Sequence, residues 1–230
     1  MSTFVSILAE RPCVTGQGRV TPIHEEVGDE AVARTTSLHD EQIQALVEQL
    51  FFRPASALVR YVGFTASESS TETAKLCLEV ARALAEEDRF DVGLVDASPG
   101  TVPLQIQLRI APTLRPETSW PIAPRLWLVP RQNWLSVREG PRIQEQSFSR
   151  LRELTLEFDC AILHCPSMSG IAARIGAACD GLVLVLTANK TRRLVAAQMT
   201  NLIQKAQVPL LGTVLTERRF PVPERLYRKL

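Results

Sequence analysis

One stretch constrains the fold more than any other, because its periodicity changes from that of a strand to that of a helix within a few residues. Residues 59–65 (VRYVGFT) are rich in β-branched and aromatic side chains, and this composition predicts a buried strand. After a polar run, apolar residues return at helical spacing through residues 74–85, which predicts a helix with one buried face. A strand, a polar loop and a helix in this order form a unit that can present helix N–H groups to an anion.

Further apolar runs follow, each separated from the next by polar or helically patterned segments. Strands are predicted at residues 91–96, 125–130, 158–165, 181–187 and 209–216. The run GLVLVLT at 181–187 has no polar face, which is typical of a central strand in a parallel sheet. Strands that alternate with helices in this way predict a doubly wound α/β fold, with a mostly parallel sheet and helices on both faces.

Three regions differ in composition. Residues 1–37 mix proline, glycine, threonine and acidic side chains without periodicity, which predicts a flexible N-terminal arm. A helix is expected after Ser37, which would cap it, and residues 38–216 are predicted to form one α/β domain. Within this domain, the proline-rich residues 98–124 predict an irregular excursion. Residues 217–230 form a basic tail with interleaved apolar side chains, which would meet an anionic membrane or a partner, or dock on its own domain.

The composition argues against several functional classes. A net charge of +1 over 230 residues gives no preference for nucleic acid, so no nucleic-acid partner is expected. No run of about 18 apolar residues exists, and no basic segment precedes the short apolar patch near the N-terminus. The sequence therefore predicts neither a membrane span nor a signal peptide. The five cysteines are odd in number and lack zinc-binding spacing, which predicts free thiols in a reducing cytoplasm and no metal site.

The polar loop between the first strand and its helix lacks the residues that a phosphate-binding loop uses. No glycine lies between Gly63 and Gly93, and no Lys-Ser/Thr pair stands where the helix begins. Instead, Ser69 and Glu72 fit a capping box that would satisfy two N–H groups of the helix from within the chain. Glu68 and Glu72 would also repel a triphosphate, since two unit charges 4 Å apart repel by about 4 kcal/mol at an effective dielectric constant near 20. A structural cap is favoured, with a working nucleotide loop as the alternative.

Ligands of doubly wound sheets bind beyond the carboxyl ends of the strands, so the residues expected there are the candidates for function. These segments are residues 66–73, 96–98, 164–166 and 187–189. Asp96 could serve as a loop or N-cap carboxylate; a second role, holding a metal-bound water, is implied only by the family resemblance described below. His164 could be a general base or a ligand, or a hydrogen-bonded structural residue.

The order and spacing of five motifs resemble the cytoplasmic P-loop domain of the bacterial tyrosine kinases of capsule and exopolysaccharide synthesis. The motifs are LVDAS, LWLVP, FDCAILHCPSM, CDGLVLVLTANKTRR and LLGTVLTERRF, and the likeness covers residues 40–230. These kinases belong to the deviant Walker group that also includes the ParA/MinD-like ATPases. The resemblance implies a P-loop NTPase-like fold, ATP and Mg as cofactors, and protein-tyrosine kinase activity. It also implies a place at the inner face of the membrane, with an inner-membrane polysaccharide chain-length regulator as partner.

Several residues depart from the pattern of this family. With the helix body aligned, Thr73 stands where the family has its phosphate-binding Lys, and Ala74 where it has the magnesium-binding Ser/Thr. His164 replaces a metal-organising Asp, and Ser98 replaces the second acidic residue of the motif that begins at Asp96. The family's C-terminal tyrosine cluster is reduced to a single tyrosine at position 227, and its ring-forming Glu–Arg–Arg pattern reads Glu41, Gln44 and Val47. Changes in three independent parts of the machinery predict loss of catalysis.

These observations favour a catalytically degenerate homologue that acts as a regulatory or interaction subunit of a polysaccharide synthesis and export system, with no bound cofactor. The degenerate nucleotide loop comprises Ser69, Ser70, Thr71, Glu72, Thr73 and Ala74. The catalytic candidates are Asp96 and His164, and the candidate anion or partner contacts are Lys75, Lys190, Arg192 and Arg193. One alternative is an active tyrosine kinase with a rebuilt site that phosphorylates Tyr227, and another is a ParA/MinD-like positioning ATPase. Peripheral membrane association and homo-oligomerisation remain open.

Overall fold

The computed structural model describes residues 4–6, 29–52, 58–67, 71–111, 119–135 and 145–216. The strands are β1 (Phe4–Ser6), β2 (Tyr61–Ala66), β3 (Val92–Asp96), β4 (Trp120–Ala123), β5 (Leu126–Val129), β6 (Cys160–His164), β7 (Gly181–Thr187) and β8 (Leu210–Thr216). The helices are α1 (Asp29–Phe51), α2 (Thr71–Glu86), α3 (Leu104–Gln107), α4 (Glu145–Thr155), α5 (Gly170–Gly176) and α6 (Arg193–Lys205), and a 3-10 turn spans Arg131–Asn133.

The strands form one eight-stranded sheet in the order β1-β8-β7-β2-β6-β3-β5-β4. Every neighbouring pair is parallel except β4 and β5, which are antiparallel. The predicted doubly wound α/β fold is therefore confirmed. The apolar run GLVLVLT forms β7, which pairs with a strand on each side, as its lack of a polar face predicts.

Helices cover both faces of the sheet and divide the core into two layers. One layer joins α1 and α2 to the sheet through side chains such as Leu46, Phe64 and Leu84. The other layer joins the opposite face to α4, α5 and α6, through side chains that include Leu151, Ile175 and Ile203. The apolar positions at helical spacing in α2 are buried, since Ala74, Cys77, Ala81 and Leu84 are all fully inaccessible to solvent. Apolar burial on both faces of a central sheet is what makes a doubly wound fold stable.

The prediction of a flexible arm over residues 1–37 is wrong for two segments, which form regular secondary structure. Helix α1 begins at Asp29, so Ser37 lies inside the helix and does not cap it. Once the packed end of a helix is formed, each further residue adds a hydrogen bond at low cost, so α1 continues through residues of modest helix propensity. Residues 4–6 form β1, which pairs in parallel with β8. A three-residue strand is too short to show periodicity in the sequence.

The excursion predicted for residues 98–124 also contains regular structure. Helix α3 begins directly after Pro103, and β4 forms an edge of the sheet. Pro121 is compatible with β4 because an edge strand has unpaired N–H positions on one side, where a proline removes no ladder hydrogen bond. The prolines indicated a segment in which the regular alternation of strands and helices is interrupted. Short helices and strands nevertheless form within it.

The structure does not describe every segment for which the sequence made a prediction. The described residues do not include the predicted N-cap Ser69, the next loop residue Ser70 or the basic tail 217–230. Asp180 directly precedes β7, and its Oδ2 accepts hydrogen bonds from the backbone N–H groups of Arg60 and Tyr61 at 2.7 and 2.9 Å. Within the described part of the chain, no helix has the length and apolar character that a membrane crossing requires.

Candidate functional site at the carboxyl edge of the sheet

The structure brings the four predicted edge segments together, because β7, β2, β6 and β3 are adjacent parallel strands that end at the same edge. Asp96 and His164 are Cα partners across β3 and β6. The Thr65 hydroxyl donates to the Pro166 carbonyl at 2.8 Å, which joins the ends of β2 and β6. On the other side, the hydroxyls of Ser67 and Thr191 lie 3.4 Å apart and connect the loops after β2 and β7. These contacts join the described ends of the four strands at one edge of the sheet.

Asp96 is the best-coordinated side chain of this edge. It is completely buried, and its Oδ2 accepts hydrogen bonds from the Leu104 N–H at 2.9 Å and from Nε of Arg131 at 2.9 Å. Its Oδ1 accepts a hydrogen bond from the Ser98 N–H at 3.2 Å. Both oxygens therefore have partners within the chain, and the carboxylate ties the end of β3 to the start of α3. These are the contacts of a loop carboxylate.

Arg131 is a residue of this site that the sequence interpretation missed. Its side chain is 13% exposed and forms an ion pair with the buried Asp96, and its Nη1 also donates to the Thr101 carbonyl at 2.9 Å. The Trp134 indole Nε1 donates to the Asp96 carbonyl at 2.8 Å, so a second side chain from the segment after β5 holds the same strand end. One signal was available, because a buried carboxylate needs a cation and Arg131 directly follows the LWLVP strand.

His164 lies beside the Asp96–Arg131 ion pair and is 2% exposed. Burial lowers its pKa below the ordinary value of 6.5, the nearby Asp96 opposes this shift, and Arg131 adds to it. Its Nδ1 is buried, and none of the described residues forms a hydrogen bond with it. At neutral pH, His164 is therefore an uncharged imidazole, which can accept or donate one proton but supplies no negative charge for a cation.

The last residues of the predicted degenerate loop form the start of α2, where the structure describes their burial and contacts. Helix α2 begins at Thr71, Thr73 is 2% exposed, and Ala74 is fully buried in the core. The Lys75 ammonium is half exposed and lies 3.4 Å from Oε1 of Glu72, one turn away on the same helix. Since Ala74 has no hydroxyl and Lys75 is paired on the helix surface, these two positions do not offer the ligands that Mg²⁺ and phosphate need.

The predicted basic contacts Lys190, Arg192 and Arg193 lie together at the start of α6, and all three are exposed. The segment before the helix is held by Thr191, whose hydroxyl oxygen accepts a hydrogen bond from the Thr187 N–H at 3.0 Å. Lys75 belongs to a different element, helix α2.

The other candidate side chains are those that could bind a metal ion or act as a nucleophile, above all the cysteines. The described residues contain no group of three or more His, Cys, Asp or Glu side chains placed to hold a metal ion. The four described cysteines are free thiols. Burial raises the pKa of Cys160 to about 11 and that of Cys179 to about 12, and it also raises the pKa values of Cys77 and Cys165. Thiols with such pKa values are weak nucleophiles and weak metal ligands at neutral pH.

No protein-family model and no curated protein sequence matches this chain. Solved structures with the same fold do exist. The chimerical protein CapA2B2 superposes with a TM-score of 0.66 at 18% identity, over 78% of this chain and 85% of that one. The kinase domain of the Escherichia coli tyrosine kinase ETK superposes with a TM-score of 0.63 at 12% identity, over 95% and 92% of the two chains.

A third structure comes from the ATPases of the same broad group. The ParA family ATPase from Chlorobium tepidum superposes with a TM-score of 0.52 at 17% identity, over 74% of this chain and 78% of that one. At these identities the likeness concerns architecture. The chain therefore has the P-loop NTPase-like α/β fold that bacterial tyrosine kinase domains and ParA-type ATPases share.

Proposed function

We propose that this protein is a catalytically degenerate relative of the exopolysaccharide tyrosine kinase domains and acts as a regulatory or interaction subunit. The observation that carries the proposal is the ion pair between Asp96 and Arg131, whose atoms Oδ2 and Nε are 2.9 Å apart. A carboxylate that is to organise a magnesium ion and its water needs free lone pairs facing the ligand. In this protein, Oδ2 is occupied by one backbone and one guanidinium donor.

The charge of Arg131 strengthens this reasoning. The guanidinium is always protonated and is held against Asp96 where only 13% of its side chain is exposed. A magnesium ion beside Asp96 would lie next to this fixed positive charge, and their repulsion acts in a poorly screened environment. Arg131 thus takes the role of counter-ion that a metal would have at a working site.

The start of α2 supports the same proposal independently. The position of the magnesium-binding hydroxyl is a fully buried alanine, and the position of the phosphate-binding lysine is Thr73. Asp96, Thr73 and Ala74 belong to two strand–loop units of the sheet. A single new residue would therefore not restore the chemistry, and the described residues do not fit a magnesium–triphosphate.

A role in interaction follows from the family resemblance and the retained fold. The fold is complete even though the ligand positions have changed, and a protein can keep such a scaffold to bind a partner. We propose the inner-membrane chain-length regulator of a polysaccharide export system as that partner, and the inner face of the membrane as the location. Both assignments come from the resemblance to the kinases.

The first experiment is a thermal-shift titration with Mg-ATP, in parallel with a repaired variant that carries Thr73→Lys, Ala74→Ser and His164→Asp. A ligand at 100 times its Kd stabilises the native state by about 2.7 kcal/mol, which raises the Tm of a domain of this size by roughly 5–10 °C. The natural protein is expected to show no shift. A magnesium-dependent shift that EDTA removes would contradict the proposal.

The kinase alternative has its own readout. Prolonged incubation of the purified protein with Mg-ATP, followed by mass spectrometry of the C-terminal peptide, is expected to leave Tyr227 unmodified. Phosphate on Tyr227 that disappears in Asp96→Asn would establish the active kinase instead.

A ParA-type ATPase is the second candidate, and the superposition on the Chlorobium tepidum protein favours it. That function predicts ATP-dependent dimerisation, which light scattering would detect. We expect the molecular mass in solution to be the same with and without ATP.

A further inference from the structure

We infer that the start of helix α6 is a docking surface for anionic phospholipid headgroups. This α6 basic surface consists of Lys190, Arg192, Arg193 and Leu194, which lie at the carboxyl edge of the sheet. The inference builds on the proposed location at the inner face of the membrane. That location is the only part of the proposed function on which the inference rests. It requires neither nucleotide chemistry nor a protein partner.

The first observation is a one-sided charge distribution. From residue 181 to residue 216 the sequence contains four cations and no aspartate or glutamate, whereas the whole chain carries 26 cations and 25 anions. Arg192 and Arg193 are exposed, and no residue in the described ranges forms an ion pair or hydrogen bond with either guanidinium. The positive charge of Arg192 and Arg193 is therefore directed to solvent and is not neutralised by any residue that the structure describes.

The second observation is that these charges stand where they oppose helix formation. The N-terminus of a helix carries partial positive charge and favours Asp, Glu or a capping hydroxyl. Helix α6 has Arg192 at the N-cap without a side-chain capping bond, Arg193 at the first position, and no acidic residue in its first turn. Residues that break a local folding rule without a compensating contact are often kept for function.

The third observation is the exposure of large apolar side chains beside these cations. Leu194 is 69% exposed and Leu202 is 46% exposed. At 100° per residue, the two leucines lie about 80° apart around the helix, and Lys205 lies about 20° from Leu194. The outer side of α6 thus combines leucines and cations without a carboxylate.

This combination fits a membrane surface better than a purely ionic partner. In an interfacial helix, apolar side chains enter the boundary between headgroups and acyl chains while lysine and arginine contact phosphate. Each basic residue near an anionic leaflet contributes about fivefold to the partition constant, so three cations and one leucine give weak, reversible binding. Such binding would be strongest at low salt and would add to any protein contact at the membrane.

The test is co-sedimentation of the full chain with vesicles of phosphatidylethanolamine and phosphatidylglycerol at low salt, compared with phosphatidylcholine vesicles. We expect binding only to the anionic vesicles, with a steep decrease as salt is added. Arg192→Glu/Arg193→Glu is expected to weaken this binding at least about tenfold. Leu194→Asn is expected to weaken it several-fold, and its effect should persist at higher salt because it is not electrostatic.

The matched control is Arg82→Glu/Arg89→Glu, which changes the net charge by the same amount. Both residues are exposed and lie in and after the C-terminal half of α2, away from the carboxyl edge. If the position of the charges matters rather than the net charge, the affinity of this control for vesicles should lie within about twofold of that of the natural protein. Circular dichroism and Tm would show that each variant is folded.

Four results would overturn the inference. The first is equal binding to anionic and neutral vesicles, and the second is an equal loss in the two double variants. The third is full binding by Arg192→Glu/Arg193→Glu, which would assign membrane contact to another basic segment. If the natural protein instead bound an acidic peptide or DNA through these arginines and did not bind vesicles, the membrane assignment would be wrong. A nucleotide-induced thermal shift would overturn the proposed function but would leave this result unaffected.

Discussion

At the scale of single residues, the carboxyl edge is organised by a buried charge pair. Asp96 is inaccessible to solvent and depends on Arg131 and two backbone N–H groups for all its described contacts. A buried carboxylate without a cation is unfavourable, so the consequences of separating this pair are large and measurable.

Replacement of Arg131 by methionine is expected to lower the free energy of unfolding by about 3–5 kcal/mol, because Asp96 would remain buried without its counter-ion. Urea denaturation measures this change. The double variant Arg131→Met/Asp96→Asn should recover part of the loss, since it removes the unpaired charge as well. A cost below about 1 kcal/mol for Arg131→Met would show that the ion pair has little structural importance.

His164 gives the second residue-scale prediction, which concerns pH. Because burial lowers its pKa in the folded state, the unfolded chain binds the proton more readily as the pH falls below 6.5. The stability contribution of His164 is present above pH 6.5 and is lost on acidification, with a slope of at most about 1.4 kcal/mol per pH unit. His164→Gln should flatten the stability profile between pH 6.5 and 5. An unchanged slope in His164→Gln would refute the assignment.

At the scale of elements, α1 is a part of the domain and not an appendage to it. The second half of α1 buries an apolar stripe against α2 and the sheet, which consists of Ile43, Leu46, Val47, Leu50 and Phe51. These residues recur at helical spacing, which is a local pattern that the sequence itself shows. The beginning of the helix at Asp29 was not predicted, because helix length depends on cooperative extension as well as on local propensity.

Leu46→Ala in this stripe is expected to destabilise the protein by about 2–5 kcal/mol, because it removes a side chain that is 2% exposed and leaves a cavity. Leu58→Ala is the matched control, since Leu58 is 77% exposed and its loss should change stability by less than about 0.5 kcal/mol. Chemical denaturation of both variants checks the pair. Similar effects at the two positions would mean that α1 does not pack as described.

At the scale of the whole molecule, the two core layers protect thiols on both sides of the sheet. Cys77 belongs to the layer under α2, while Cys165 belongs to the opposite layer. All four described cysteines have raised pKa values caused by burial. Their reactivity therefore reports how often the molecule opens.

In a Cys13→Ser/Cys179→Ser variant, the three remaining thiols, which are all buried, are expected to react with a disulfide reagent at pH 8 only as fast as the protein opens or unfolds. Urea below the unfolding transition should accelerate the labelling, because exposed thiols recover a pKa near 8.5. The release of thiolate measured by absorbance gives the rate. Rapid labelling of a thiol in the folded protein without denaturant would contradict the described burial.

The sequence by itself determined the class of the fold and the edge at which function was to be sought. Apolar runs such as GLVLVLT and the helical spacing in α2 are local patterns, and local patterns specify which segments become buried strands and helices. The proposed replacement of the family's lysine and hydroxyl by Thr73 and Ala74 rests on the sequence as well, because it concerns the identity of residues at fixed spacing.

Only the tertiary structure decided the order of the strands and the partner of Asp96. The partnership with Arg131 exists because β5 pairs beside β3 in parallel, which brings the segment after β5 to the end of β3 although the two residues are 35 positions apart. The same holds for β1, which is a strand because β8 offers it an unpaired edge. Pairing between distant segments depends on the free energy of the whole assembled sheet, and no local pattern encodes it.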